Sequence, residues 1–490
     1  MPDTFTLALV QAASVPGGVA GNARRIGDAY RAARRAGAGL VVCPRLALTG
    51  APLGVLTPWP PLAAEAGRAL DGLAGATAEG PPLVVGAPYL EDGRPFDGAF
   101  LLRGGAVADR CARHVPEAGD PLATGPLRGP WRIDGLGVGA MVGADMNTAD
   151  AAEALAETGA DLLVVLDALA LAGEDEETRM QAALARVAET GLPLAWVNGA
   201  GAGDGRVLAG GSFALDAKRR LVARAPDMEE ALLLVPWRLR EAGLEADGGG
   251  GIARPLDPQD VTWRALVVGL RAFVDGGAYE GVAVDLDAGI NGAVAAALAV
   301  DALGPKRVLA LATAGDAGAH PETAAALGLR VVPAPVAPLL APYRRLVGAD
   351  DSSPLARLRG LALEGIAAAR GLLPLATCDK TMLALGGEAL AGHSAGGYAP
   401  LADLWASKIV GLVQHRNGSG PILPERPLAL GNVAGKARDR LLARLVEDDA
   451  DPATLGGEGV ALAARVAAAG RERRRAPPGT KVTKRAFFER

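Results

Sequence analysis

The stretch of this chain best suited to chemistry is the turn Val-Asp-Leu-Asp-Ala-Gly-Ile-Asn-Gly-Ala at residues 284–293, between a strand pattern and a helical one. A glycine-containing turn at a helix N-terminus leaves backbone N–H groups free to cradle a phosphate. The same glycine also serves an ordinary strand-to-helix connection, and Asp285 and Asp287 bring carboxylates into the field a phosphate would use. Other candidates are dispersed. Cys43, Cys111 and Cys378 stand far apart, in no metal-ligand or disulfide-framework spacing. The four histidines, at 114, 320, 393 and 415, are scattered along the chain. The arginine-rich run 471–475 and the basic arm after it suit either an anionic partner or, as charge runs usually do, a solvated helix end.

The elements that must hold these residues follow from periodicity. Residues 5–11 alternate as a strand, and 39–44, 82–87, 135–141, 161–166 and 194–198 are apolar runs of buried-strand type. Between 20 and 36, Ile26, Tyr30 and Ala33 share one helical face, and the acidic run 174–177 opens a helix between the last two strands. Such alternation predicts an α/β domain over 1–245. Residues 246–258 hold four consecutive glycines and two prolines and predict a linker. A helix carrying Leu266, Leu270, Phe273 and Val274 opens the next unit, 259–425. A strand at 281–286, a turn at 287–292, a helix at 293–303 and a strand at 307–312 follow. That βαβ order predicts a parallel sheet. From 426 to 490 the pattern is helical and charged, ending in the basic tail.

Composition narrows the function classes. Of 490 residues, 67 are glycine and 35 proline, but they are dispersed among apolar runs, so disorder is confined to short linkers. Fifty basic against 55 acidic residues give a net charge of −5, which argues against nucleic acid as a partner. No uncharged apolar run approaches the ~20 residues that span a bilayer, and the N-terminal residues lack a basic leader pattern. The expectation is a soluble, cytoplasmic protein with no membrane partner.

The order of segments resembles the glutamine-dependent NAD synthetases along nearly the whole chain. The N-terminal resemblance rests on CPRLALTGAP, RCARHVP, GVGAMVGADM, GADLLVVLDA and WVNGAGAGDGRVLAGGS. The C-terminal one rests on LVVGLRAFV, VAVDLDAGINGAVAAALAVDALG, TCDKTM, AGHSAGGYAPLADLWASKIVGLVQHRN and APPGTKVTKRAF. It implies an α/β protein with a nitrilase-like αββα sandwich followed by a Rossmann-like, parallel-sheet synthetase domain. It also implies ATP and Mg²⁺ as cofactors and a homo-oligomer, dimer or higher, associating through the C-terminal domain. Pairing with a catalytically complete relative is a further possible partnership.

At the positions that carry the family's chemistry, this chain departs from it. The family's glutaminase uses a glutamate base, a lysine and a cysteine nucleophile, which fall here on Arg45, Ala112 and Gly143. Glycine is no nucleophile, and arginine stays protonated and cannot act as base. Cys43 and Cys111 lie near these positions and read as small buried hydrophobes. The pyrophosphate loop S-G-G-x-D-S falls on Asp287, Ala288, Gly289, Ile290, Asn291 and Gly292, keeping one glycine of its pair and losing both serines and the aspartate. Thr377 and Lys380 are kept, while Cys378, Asp379 and Met382 replace glycine, asparagine and glutamate. His393 replaces an aspartate. Asp403 is kept, and two expected lysines fall on Ala402 and Ala406. The residues expected to touch a nucleotide, if one binds, are therefore Asp287, Gly289, Asn291, Gly292, Thr377, Lys380 and Asp403. The expected function is a catalytically impaired relative with a regulatory or scaffold role. The alternative is an active ATP-dependent ligase making NAD from deamido-NAD and ammonia through a rebuilt site.

Overall fold

A computed structural model describes residues 4–51, 59–117, 120–171, 176–241, 243–277, 279–286, 289–313, 321–348, 353–387, 390, 392–418 and 433–488. The chain forms two compact units, Met1–Leu256 and Asp257–Arg490.

In the first unit, β1 (Thr4–Gln11), α1 (Val19–Arg35), β2 (Leu40–Val42), α2 (Trp59–Gly75), β3 (Leu83–Glu91), β4 (Arg94–Arg103) and β5 (Ala106–Ala112) come first. They are followed by β6 (Trp131–Ile133), β7 (Leu136–Val142), α3 (Ala149–Glu157), β8 (Leu162–Leu166), α4 (Glu176–Thr190) and β9 (Leu194–Val197). The hairpin β10 (Ala200–Gly203) and β11 (Arg206–Ala209), then β12 (Phe213–Leu215), β13 (Leu221–Arg224), β14 (Ala231–Arg240) and β15 (Gly243–Ala246) complete it. One sheet runs β15-β14-β1-β2-β3-β4-β5 and the other β13-β12-β9-β8-β7-β6.

Side-chain alternation stacks these sheets into four layers. Along β1, Leu7 and Leu9 enter the core between the sheets, whereas Ala8 and Val10 pack under α1. Along β8, Leu162, Val164 and Leu166 face the other sheet, and Leu163 and Val165 face α3 and α4. Both faces are buried, so these strands read as continuous apolar runs. The result is an αββα sandwich.

The glycine-rich stretch expected to be a linker packs on this unit up to residue 256. Gly251 O accepts from the Arg224 N–H at 3.0 Å, and Arg224 O accepts from Ala253 N–H at 2.9 Å. A Cβ on Gly250 would lie 2.6 Å from the Ala223 Cβ, so a bare backbone is required for this approach.

The second unit opens with α5 (Pro258–Gly276), whose N-terminus is capped by the Asp257 carboxylate accepting from Gln259 and Asp260 N–H. Then come β16 (Gly281–Asp285), α6 (Gly289–Leu303), β17 (Val308–Ala312), α7 (Pro321–Ala326), β18 (Arg330–Pro333), α8 (Ala337–Val347), α9 (Ser353–Ala368) and β19 (Leu372–Pro374). After them run α10 (Lys380–Leu385), α11 (Ala406–Asn417), α12 (Val433–Val446), α13 (Gly456–Ala468) and α14 (Gly470–Arg473). The sheet is parallel, in the order β18-β17-β16-β19. Helices α5 and α6 cover one face and α9 the other, through Leu363 and Ala367. Helix α6 starts at Gly289, four residues earlier than the sequence pattern predicts, because Gly289 turns the chain with φ +70°. Among the described residues no helix is long and apolar enough to cross a membrane.

Candidate functional site

Arg45 follows β2 and is buried. Its Nη1 lies 2.8 Å from Glu117 Oε2, its Nη2 lies 2.7 Å from Asp120 Oδ2, and its Nε donates to the buried Asp97. Arg113, fully buried next to Ala112, reaches Asp120 at 3.0 Å. Burial works against the charge on Arg45, but Asp97, Glu117 and Asp120 outweigh it and hold the guanidinium protonated. Burial also raises Asp97 above the usual carboxylate range, opposed by Arg45.

Gly143 immediately follows β7 with φ +55°. A Cβ there would lie 2.9 Å from Glu117 Oε1 and 3.1 Å from Arg45 Nη1. The next backbone N–H, of Ala144, donates to Glu117 Oε1 at 3.1 Å. A side chain at 143 would therefore run into an ion-pair network. Ala112 ends β5 against Gly125, where even a Cβ would come within 2.6 Å of the alanine methyl. Asp145 fixes the neighbouring backbone by accepting from His114 and Val115 N–H, both at 2.8 Å. Cys43 and Cys111 are buried, and burial pushes each thiol up to about 12, so neither supplies a thiolate near neutral pH.

In the second unit the chain reverses direction across the sheet between β16 and β19. The crevice beyond the carboxyl ends of these strands is where open parallel sheets take ligands. Asp285 ends β16 there, accepting from Thr313 Oγ1 at 3.0 Å and from Arg359 Nε at 2.9 Å. Thr377 Oγ1 lies 2.9 Å from His393 Nδ1. Burial, then Arg359, lowers the His393 pKa and keeps the ring neutral. Asp285, Arg359, Thr377 and His393 line a cavity of about 20 Å³, enough for a water or two.

Asn291, in the first turn of α6, is turned inward. Its Nδ2 donates to Thr377 O and to Asp379 Oδ2, each at 2.9 Å. Asp379 also caps α10 by accepting from Met382 N–H at 2.8 Å, and burial raises its carboxyl to about 6, opposed by the Asn291 bond. Gly289 and Gly292 fall at the start of α6, Gly292 buried within it. The charge expected at Asp287 lies outside the described residues.

Lys380 and Asp403, expected to contact a nucleotide, are paired with each other and with the C-terminal arm. The fully buried ammonium of Lys380 lies 2.9 Å from Asp403, 2.7 Å from Glu447 and 2.6 Å from Arg485 O, over the Trp405 ring. Asp403 also accepts from Val482 and Thr483 N–H at 2.7 Å each. The pair is spent anchoring the C-terminal arm, because a buried charge must be matched and hydrogen-bonded inside the protein.

The described residues do not fit a magnesium–nucleotide. A hard cation requires several free oxygen ligands. Here Asp285 is held by Arg359 and Thr313, Asp379 is a helix cap, and Asn291 points its N–H₂ inward.

Comparison with known proteins places this architecture. The carbon-nitrogen hydrolase family model matches residues 6–243, and the NAD synthase model matches 262–430. The glutamine-dependent NAD(+) synthetase of Rhodobacter capsulatus is 31% identical over 442 residues, covering 86% of this chain and 80% of that protein. The chain belongs to the glutamine-dependent NAD(+) synthetase family. The Synechocystis enzyme of the same name is 26% identical over 99% of this chain and 97% of its own. The fold likewise matches the glutamine-dependent NAD+ synthetase of Acinetobacter baumannii, solved with ADP, at a TM-score of 0.79 and 23% identity. That alignment covers 99% of this chain and 97% of the other.

Sequence reasoning missed Asp97, Glu117 and Asp120 as site residues. A carboxylate inside the apolar strand Phe-Asp-Gly-Ala-Phe at 96–100 was the available signal, since such a group needs a buried cation.

Proposed function

We propose that this chain is a non-catalytic member of the glutamine-dependent NAD(+) synthetase family, retained for a regulatory or scaffold role. The observation that carries the reading is the Arg45 guanidinium, seated with Glu117 against Gly143 where the nucleophile would project. Nothing described there can attack an amide. In the second unit Asp285 is paired with Arg359, and Asp379 is bonded by Asn291, so these described carboxylates are engaged inside the protein.

The alternative, an ammonia-using ligase with a rebuilt site, draws its support from the partial retention around Thr377 and Asp403. The bonds of Asp403 to Lys380 and the C-terminal arm, and of Thr377 to His393, weigh against it. Ammonia release from glutamine by the purified chain, run beside a catalytically complete relative, tests the proposal. No release above the buffer blank is expected. Release abolished by Cys43→Ala or Cys111→Ala would locate a displaced nucleophile and overturn it.

A further inference from the structure

The first turn of α5 and the last turn of α11 meet beside a shared brace. Asp301 of α6 accepts from Trp263 Nε1 of α5 at 2.9 Å and from Arg416 Nε of α11 at 3.2 Å. Leu266 of α5 and Ile409, Leu412 and Val413 of α11 are buried in one core. Asp260 stands three positions before Trp263, and His415 one before Arg416, so the brace fixes both. They face each other, with His415 Nε2 2.7 Å from Asp260 Oδ1. Asp257, the cap of α5, completes the group. One ligand atom from each of the three residues lies within 4.8 Å of the other two.

Asp257 uses Oδ1 to accept from Gln259 and Asp260 N–H, at 2.9 and 3.0 Å, which leaves Oδ2. These bonds, the one from Asp260 foremost, hold its carboxyl below the usual carboxylate range and so ionised at neutral pH. Two carboxylates therefore converge, and among the described residues His415 is the one cationic partner within ion-pair distance of them. Like charges this close call for a positive charge between them, and a divalent ion supplies twice that of a protonated imidazole.

The geometry fits such an ion. A tetrahedral zinc holds its ligand atoms about 3.3 Å apart, so the His415–Asp260 contact would open by only about 0.6 Å. The Asp260 side chain is 47% exposed and that of His415 28%, which gives both room to adjust and the ion a path from solvent. Two carboxylate oxygens and an imidazole nitrogen suit zinc, cobalt or nickel, whereas magnesium and calcium take oxygen ligands.

We propose that Asp257, Asp260 and His415 bind a divalent ion of the zinc class, with water completing its shell. The ion staples the start of α5 to the end of α11. The site shares no residue with the crevice beyond the sheet and is independent of whether the chain is catalytic.

The test is calorimetric titration of the full, chelator-treated chain at about 100 µM with zinc chloride alone, beside a magnesium chloride control. One equivalent of zinc is expected to bind, and no magnesium. His415→Ala, Asp260→Asn and Asp257→Asn, the last keeping a capping oxygen, are each expected to weaken zinc binding by about tenfold or more. Thermal melts separate a lost ligand from a misfolded variant. Zinc should raise the melting temperature of the unaltered chain and leave that of a cooperatively melting His415→Ala unmoved. No zinc bound at this concentration, magnesium bound as well as zinc, or zinc binding equal in the unaltered chain and all three variants would each overturn the proposal.

Discussion

The Arg45 Nη1 atom lies 3.1 Å from the position a Cβ on Gly143 would occupy, so either residue constrains what the other can be. A cysteine at 143 and an arginine at 45 compete for one volume, and Glu117 adds a second obstruction at 2.9 Å. Gly143→Cys should therefore destabilise the first unit by about 1–3 kcal/mol, from overpacking and from a side chain at positive φ. Denaturant unfolding of the single variant checks this. The cost should shrink in an Arg45→Ala background, a coupling that a double-mutant cycle measures directly.

Lys380→Ala should unfold more of the protein than its size suggests. It leaves Asp403 and Glu447 facing each other without a cation, a loss of about 3–5 kcal/mol. The arm carrying Thr483 and Arg485 should then become accessible, and limited proteolysis should clip it faster than in the unaltered chain.

Asp379 sets a pH dependence opposite to that of a salt-bridged carboxylate. Its carboxyl is raised to about 6 from an ordinary 3.8. Between these values the folded state holds the proton more tightly than the unfolded state does. This group's contribution to stability therefore falls as pH rises from about 4 to 6. The gap corresponds to about 3 kcal/mol at neutral pH. Asp379→Asn keeps a capping oxygen and cannot ionise. Its Nδ2 then faces the Asn291 Nδ2, so the variant should be less stable than the unaltered chain at pH 4, and that deficit should narrow toward pH 7 in thermal melts.

Restoring an aspartate at 291 should not restore a metal site. Asn291→Asp would replace a donor by a carboxylate 2.9 Å from Asp379. Two like charges so close and buried cannot both ionise. The variant should lose about 1–3 kcal/mol at pH 8 and less at pH 5. Calorimetry with ATP–magnesium at about 100 µM protein should give no binding isotherm for either chain, since a site in the millimolar range is invisible there.

The layers of the fold were legible because β1, β8 and their neighbours are buried on both faces, which leaves short apolar runs bounded by turn residues. The resemblance placed Arg45 and Gly143 in one site, and the structure sets them side by side. The groups that surround Arg45 were not legible. The acids around Arg45 come from 52, 72 and 75 residues away and join only through the sheet topology. The internal partners of Lys380 and Asp403 were hidden for a similar reason. Their partners in the arm lie about 80 to 105 residues further on, and local spacing carries no trace of them. The glycines at 248–251 read as a linker because composition cannot tell freedom from close packing, and Gly250 serves the second.

The most direct measurement of the central claim is NAD formed from deamido-NAD, ATP and magnesium by the full chain, with glutamine in one reaction and ammonium in the other. A non-catalytic chain yields no NAD in either. NAD accumulating with ammonium alone would establish a working synthetase in the second unit, and NAD formed from glutamine would contradict the account at both sites.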